Sequence, residues 1–280
     1  MQFLDRLEDR TLLSFIGFRD SGILSIEATT GDDVIVIGAA PDPTLIRIQI
    51  NSDAPVDIPI TSRKPSHNVQ IVSVSGLDGD DVIHYNGPIP HAILRGDAGN
   101  DLIESVAGDL EALGGDGNDT VLSSGNDSVS FEGGSGRDTF TSTGAAPVFA
   151  TGGSGNDLIT TTTGNDSVWG GPGSDTISTG AGDDVILGGR GDDLIDAGDG
   201  DDWLFGQQGN DTLTGGDGAD HLFGQDGNDS LAGQAGNDTF FTGPGAADTT
   251  DATGTEFVHH KDYQRFERLF AQLLGSFRPT

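Results

Sequence analysis

From Gly155 to Gly236 a glycine returns every nine residues, and this period constrains the fold more than any other feature of the chain. The series is Gly155, Gly164, Gly173, Gly182, Gly191, Gly200, Gly209, Gly218, Gly227 and Gly236, with a worn eleventh member at Gly245. Two residues after each regular glycine stands an aspartate, from Asp157 to Asp238. Two residues further stands an apolar side chain: Ile159, Val168, Ile177, Ile186, Ile195, Leu204, Leu213, Leu222, Leu231 and Phe240. With the unit counted so that these fall at positions four, six and eight, each unit has two halves. Gly188-Gly189-Arg190-Gly191-Asp192-Asp193 reads as a turn, in which glycine permits positive φ and close backbone approach. Leu194-Ile195-Asp196 reads as a short strand with its middle side chain inward, because strand side chains alternate. One such unit buries too little to stand alone, so the units must stack into a solenoid.

Charge limits what the stack can bind. The chain has 45 acidic and 13 basic side chains, a net charge of -32, and no cysteine. Nucleic acid is excluded as a partner, since phosphate binding needs clustered cations. A disulfide scaffold and a thiolate metal site are excluded as well. Between Gly155 and Gly245 there are 17 acidic side chains and one basic one, Arg190. Carboxylates stacked at the ~4.8 Å strand spacing repel by about 1 kcal/mol per neighbouring pair even in water. A multivalent cation must offset this, and oxygen-only ligands in flexible glycine turns favour calcium over zinc or magnesium.

Gly170-Gly171-Pro172-Gly173-Ser174-Asp175-Thr176-Ile177 and Gly215-Gly216-Asp217-Gly218-Ala219-Asp220-His221-Leu222 resemble the nonapeptide G-G-x-G-x-D-x-U-x of the RTX (hemolysin-type) calcium-binding family. The resemblance implies an all-β, right-handed parallel β-roll or β-helix with two nonapeptides per coil and successive turns on opposite sides. It also implies several Ca2+ ions held between same-side turns by sixth-position aspartates and turn carbonyls. The aspartates are then Asp119, Asp138, Asp157, Asp166, Asp175, Asp184, Asp193, Asp202, Asp211, Asp220, Asp229 and Asp238. The turn glycines are Gly153, Gly155, Gly171, Gly173, Gly189, Gly191, Gly198, Gly200, Gly206, Gly209, Gly216, Gly218, Gly224 and Gly227.

Upstream the period continues with insertions. Asp81, Asp101, Asp119, Asp138 and Asp157 follow at steps of 20, 18, 19 and 19 residues, one coil per step. Sorted by side, these continue into one face with Asp175, Asp193, Asp211 and Asp229. The other face holds Asp127, Asp166, Asp184, Asp202, Asp220 and Asp238, with Ala146 as a gap. Calcium is therefore expected on both faces after residue 155 and mainly on the first face before it. The eight same-side pairs within the ten regular repeats set the expected number of full sites there. Before residue 75, Ile23 to Ile26, Val34 to Ile37, Leu45 to Ile50 and Val69 to Val74 read as strands, and Gly31-Asp32-Asp33-Val34-Ile35 as one more turn.

The ends differ. Leu7 to Ser14 resembles the LEPR-x-LLS motif near the N-terminus of many exported planctomycete proteins, with Asp9 in place of proline. After Phe257, Tyr263, Phe266, Phe270, Leu273 and Phe277 form a helical stripe accompanied by Lys261, Arg265, Arg268 and Arg278. The expected organisation is an export-like or capping segment over 1–20, irregular coils over 21–154, the regular roll over 155–250 and a capping helix over 255–280. In RTX proteins the C-terminal tail also carries an uncleaved type I secretion signal. No apolar run is long enough to span a membrane.

Enzyme motifs are missing. The six histidines form no H-E-x-x-H, and no G-x-S-x-G or G-x-x-x-x-G-K occurs. Acidic pairs such as Asp192-Asp193 fit calcium ligation or solvation better than acid–base work. Trp169, Trp203 and Phe205 fall at positions seven and nine, outward, where they shield a sheet face. The reading is a non-enzymatic, secreted or cell-surface calcium-binding β-roll whose folding is coupled to calcium outside the cell. Its expected partners are calcium, the secretion machinery, and a cell-surface or polysaccharide ligand. The alternatives are a carbohydrate-active solenoid enzyme of lyase or epimerase type and a structural or adhesive matrix component.

Overall fold

The computed structural model describes residues 15–19, 22–53, 55–60, 68–106, 109–125, 127–243, 249–250 and 257–258, with backbone alone for 15–19, 249–250 and 257–258. The described residues form 26 strands in two sheets of 13. From Ile71–Asp78 onward successive strands alternate between the sheets, and each pairs in parallel with the strand one coil away. Ile186 lies beside Leu204 in the first sheet and Ile195 beside Leu213 in the second, a step of 18 residues. Earlier coils step by 19, as Val121 beside Phe140, or 20, as Ile83 beside Ile103. The insertions read from the aspartate spacing are thus absorbed without loss of register.

The position-eight side chains make the core. Ile159 to Phe240 are all at most 2% exposed and join the earlier rungs in one apolar cluster. Burial alternates along each strand of the second sheet, as in Leu194 to Ala197, because one face meets the core and the other meets water.

Both sheets change character at the N-terminal end. Phe15–Arg19 pairs antiparallel with Ile23–Glu27 in the first sheet. In the second, Val34–Ala39, Leu45–Ile50 and Val56–Pro59 form an antiparallel run. Ile23–Glu27 and Val34–Ala39 still join the first parallel coils, against Ile71–Asp78 and Val82–Asn86. Antiparallel strands need only short connections, so hairpins replace the coils at this end, with Phe15–Arg19 and Val56–Pro59 as the outermost strands. At the other end Phe257–Val258 adds a rung to the first sheet beside Thr239–Phe241, inside the segment expected to be helical. The stripe from Tyr263 to Phe277 and the motif at Leu7 to Ser14 lie outside the described residues. Among the described residues no helix is long and apolar enough to cross a membrane.

Candidate metal centres

The turns joining the sheets carry the sixth-position aspartates, all at most 2% exposed. On the first face they form one continuous ladder. Each donates its backbone N–H to Oδ1 of the aspartate one coil later: Asp81 to Asp101 at 2.7 Å, Asp119 to Asp138 at 2.8 Å, Asp157 to Asp175 at 2.8 Å and Asp211 to Asp229 at 2.9 Å. The ladder begins at Asp33, which donates to Asp81 Oδ1 at 2.7 Å. Its own carboxylate is satisfied by Thr29 and Asn51, so the first rung is capped by neutral donors. On the second face the ladder runs Asp166, Asp184, Asp202, Asp220, Asp238 at 2.7 to 3.0 Å.

That second ladder starts late. Val148 donates to Asp166 Oδ1, and Val129 and Leu110 lie in register with Val148 on the earlier coils. All three are buried apolar residues in place of aspartate. The expected member Asp127 and the gap placed at Ala146 therefore lie two residues out of register, and Asp127 is exposed. The turn-like Gly125-Asn126-Asp127 concealed a longer loop before the strand, a shift that the core contact of Val129 decides.

One oxygen satisfied by the ladder leaves the other to be explained. Oδ2 of Asp81, Asp101, Asp119, Asp138, Asp157, Asp175, Asp193, Asp202, Asp211, Asp220 and Asp238 is buried with no hydrogen-bond donor among the described residues. A carboxylate oxygen buried without a partner costs free energy, and the carboxyl responds by holding its proton. Burial first, and the like charge of ladder neighbours second, push Asp193 and Asp202 up to about 7. Burial likewise raises Asp138, Asp175, Asp211 and Asp220 to about 6. Asp166 differs, since Thr161 Oγ1 donates to its Oδ2 at 2.5 Å.

The glycines serve two different ends. At positions two and four they carry positive φ, as in Gly189 at 126° and Gly191 at 121°. A Cβ on Gly191 would collide with the Gly173 carbonyl oxygen, so position-four carbonyls point along the stack into the next turn. Gly153, Gly155, Gly171, Gly173, Gly198, Gly200, Gly209, Gly216, Gly218 and Gly227 share this positive φ. Gly206 and Gly224 do not. They stand at position one, where a Cβ would collide with Oδ2 of Asp211 and Asp229. The residues at position two in those coils are Gln207 and Gln225, at φ 78° and 74°, in register with Gly189. Sequence reasoning missed them because it looked for glycine, although a left-handed φ costs another residue only about 1–2 kcal/mol.

A further ladder was also missed. The side chain at position five accepts from the backbone N–H one coil later, opposite in sense to the aspartate ladder. Asn210 donates to Asp192 Oδ1 at 2.7 Å and Asp201 to Asp183 Oδ1 at 3.1 Å, both exposed. Pairs such as Asp192-Asp193 are thus split, one carboxylate outside and one inside. The signal lay in the asparagine, aspartate or serine at Asn156, Ser174, Asp192, Asn210 and Asn228.

The donors that converge are all oxygens. Asp193 Oδ2 and the carbonyl oxygen of Gly206 from the next coil both lie within 3 Å of where a Cβ on Gly188 would stand. No group of three or more His, Asp or Glu side chains that could hold a metal occurs among the described residues. Any ion must therefore draw on one or two carboxylates and complete its shell with carbonyls. Calcium accepts such a shell, of six to eight flexible oxygens, whereas zinc prefers nitrogen and sulfur. The orphaned oxygens and this donor set fit calcium.

The architecture and turns define a parallel β-solenoid whose coils are joined by carboxylate-lined glycine turns. Its regular coils are RTX repeats: the family model described as RTX calcium-binding nonapeptide repeat (4 copies) matches residues 151–186, 178–213 and 214–246. Such repeats bind Ca2+ at several sites. No curated protein matches the chain.

Proposed function

We propose that this is a non-enzymatic, secreted calcium-binding β-roll that folds when it meets calcium outside the cell. The observation that carries the reading is the row of buried aspartates whose Oδ2 atoms lack a donor, in a chain of net charge -32. At neutral pH the ion-free stack must either protonate these groups or hold uncompensated charge, and both oppose folding. The ions would be held by Asp119, Asp138, Asp157, Asp166, Asp175, Asp184, Asp193, Asp202, Asp211, Asp220, Asp229 and Asp238, with turn carbonyls from positions one, two and four. Calcium supplies positive charge between rungs, so binding free energy becomes folding free energy. The regular roll over 155–250 depends on calcium most, because only there do both faces carry the ladder.

Export fits this coupling. An unfolded acidic chain can pass a channel where calcium is scarce and fold where it approaches the millimolar level at which extracellular calcium modules work. The deciding experiment is circular dichroism of the full chain titrated with calcium, with magnesium as control. Strand signal should appear cooperatively with calcium alone. An equal strand signal in chelator at pH 7.5 would remove the proposal.

A further inference from the structure

The second-face turns lose their aspartates in coils that carry one extra residue. Val129 and Val148 stand ten residues after Asp119 and Asp138, whereas Asp166 stands nine after Asp157. The extra residue falls in the turn, and both valines join the core instead of a ladder. A groove of about 390 Å³ lies there, lined by residues of these turns and of the outer face of the first sheet. Small-molecule sites are commonly of this size. Its floor is apolar, made by Leu110, Val129 and Val148 in register on three successive rungs. Around the floor stand Ser128, Ser130, Asn165 and Ser167, with the carboxylates of Asp109 and Glu111. Ser128 Oγ donates to Asp109 Oδ1 at 3.1 Å, and Arg95 stands 3.9 Å from Glu111, so both carboxylates keep acceptor capacity for a ligand. Phe149, in register with Ser130 and Ser167, is 40% exposed. Trp169, one rung on and two residues along the same face, is 52% exposed. Strand rise and spacing set these two residues about 8 Å apart. They are the exposed aromatic rings among the residues whose side chains are described; Phe205 and Phe223, further along this face, are buried.

A ligand for this groove needs an apolar face for the ring and floor, and donors at its edge for the carboxylates. Negative charge is disfavoured, because the groove holds no lysine or arginine and the chain carries a net charge of -32. Positive charge does not distinguish the site either, since every turn of the roll offers acids. What sets the groove apart is its apolar floor beside an exposed ring. A pyranose meets these terms, with C–H groups on its face, hydroxyl donors around its edge and no charge. We propose that the groove binds a neutral polysaccharide, one sugar ring stacked on Phe149 and its hydroxyls donating to Asp109 and Glu111. Such bonds to carboxylates are of the strong, charge-assisted kind. A sugar chain running along the stack meets a new rung every ~4.8 Å. Glu111, Ser130, Phe149 and Ser167 stand in one such row, and Trp169 extends the aromatic platform past the groove.

The test is affinity electrophoresis of the full chain with calcium, in gels that each contain hydroxyethylcellulose, arabinoxylan, galactomannan or laminarin, with polygalacturonate as the acidic control. At least one neutral polymer should retard the chain, and polygalacturonate should not. Phe149→Ala should weaken that retardation about tenfold, as truncation of an aromatic anchor does. Phe149→Tyr, which keeps a ring, should restore it, and Glu111→Ala should weaken it as well. Strand signal recorded for each variant in the same buffer separates lost binding from lost fold, and Glu111→Ala carries the test if Phe149→Ala unfolds. No retardation by any neutral polymer, retardation equal in wild type and both alanine variants, or retardation by polygalacturonate alone overturns the proposal. A decalysine peptide that binds through Phe149 where no polysaccharide binds also overturns it, by seating a cation in the groove.

Discussion

The backbone N–H of Asp193 donates to Oδ1 of Asp211 at 2.9 Å across one coil, while Asp193 Oδ2 has no donor. One carboxylate therefore does two jobs. Its first oxygen sets the register of the stack through a hydrogen bond of the charge-assisted kind. Its second lies beside Gly188 and is the oxygen proposed above to hold an ion.

The two jobs separate by substitution. Asp193→Ala removes both, and should lower calcium stoichiometry by the two sites adjoining that rung on the first face. The second face, whose ladder runs through Asp184 and Asp202, should keep its ions. Asp193→Asn keeps the acceptor and removes the charge, so the ion-free protein should be stabilised by about 1–3 kcal/mol as a buried charge is removed. Calcium titration followed by elemental analysis checks both; loss of every ion from Asp193→Ala would contradict independent faces.

Protons should compete with calcium. Burial raises Asp193 and Asp202 to about 7 and Asp175 and Asp211 to about 6, above the unfolded value near 4. Between those values the folded chain binds more protons than the unfolded chain, so ion-free stability falls as pH rises. In chelator the protein should gain stability from pH 7.5 to 5, and calcium binding near pH 6.5 should release protons. A strand signal in chelator that grows with pH would reverse this sign.

Thr161, like Thr179 on the next rung, stands where the remaining rungs have glycine or alanine. Its hydroxyl donates to Asp166 Oδ2, so Thr161→Val orphans that oxygen. The calcium concentration at which the chain folds should rise, since an unsatisfied buried acceptor costs about 1–3 kcal/mol. Saturating calcium should recover most of this cost, a difference visible in paired calcium titrations.

On the first face position-one glycines are in close contact with the aspartates, whereas the second face carries Thr161, Thr179 and Ala197 there. Gly188→Ala would press a methyl group onto Asp193 Oδ2 and cost about 1–3 kcal/mol by overpacking. Gly31→Ala, with open space at its Cβ, should change stability by less than about 0.5 kcal/mol. Thermal melts of the two variants with calcium should differ accordingly.

Much of the roll was legible because its partners sit a fixed number of residues apart. Position eight pointed inward, the aspartates sorted into two faces, and steps of 20, 18 and 19 residues matched the strand registers. Each follows from stacking one coil on the next, which a periodic sequence encodes locally. The late start of the second-face ladder did not follow, since Asp127 carries the right motif and Val129 wins the register through the core.

The sequence by itself determined a stacked repeat with acidic turns and the chemistry that calls for calcium. Only the tertiary structure decided that one oxygen of aspartates such as Asp175, Asp193 and Asp211 is tied to backbone while the other lacks a donor among the described residues. It also decided that antiparallel strands replace the coils at the N-terminal end and that Phe205 and Phe223 face outward yet are buried. These depend on segments far apart in the chain and outside its period, where no local pattern says which surface meets which.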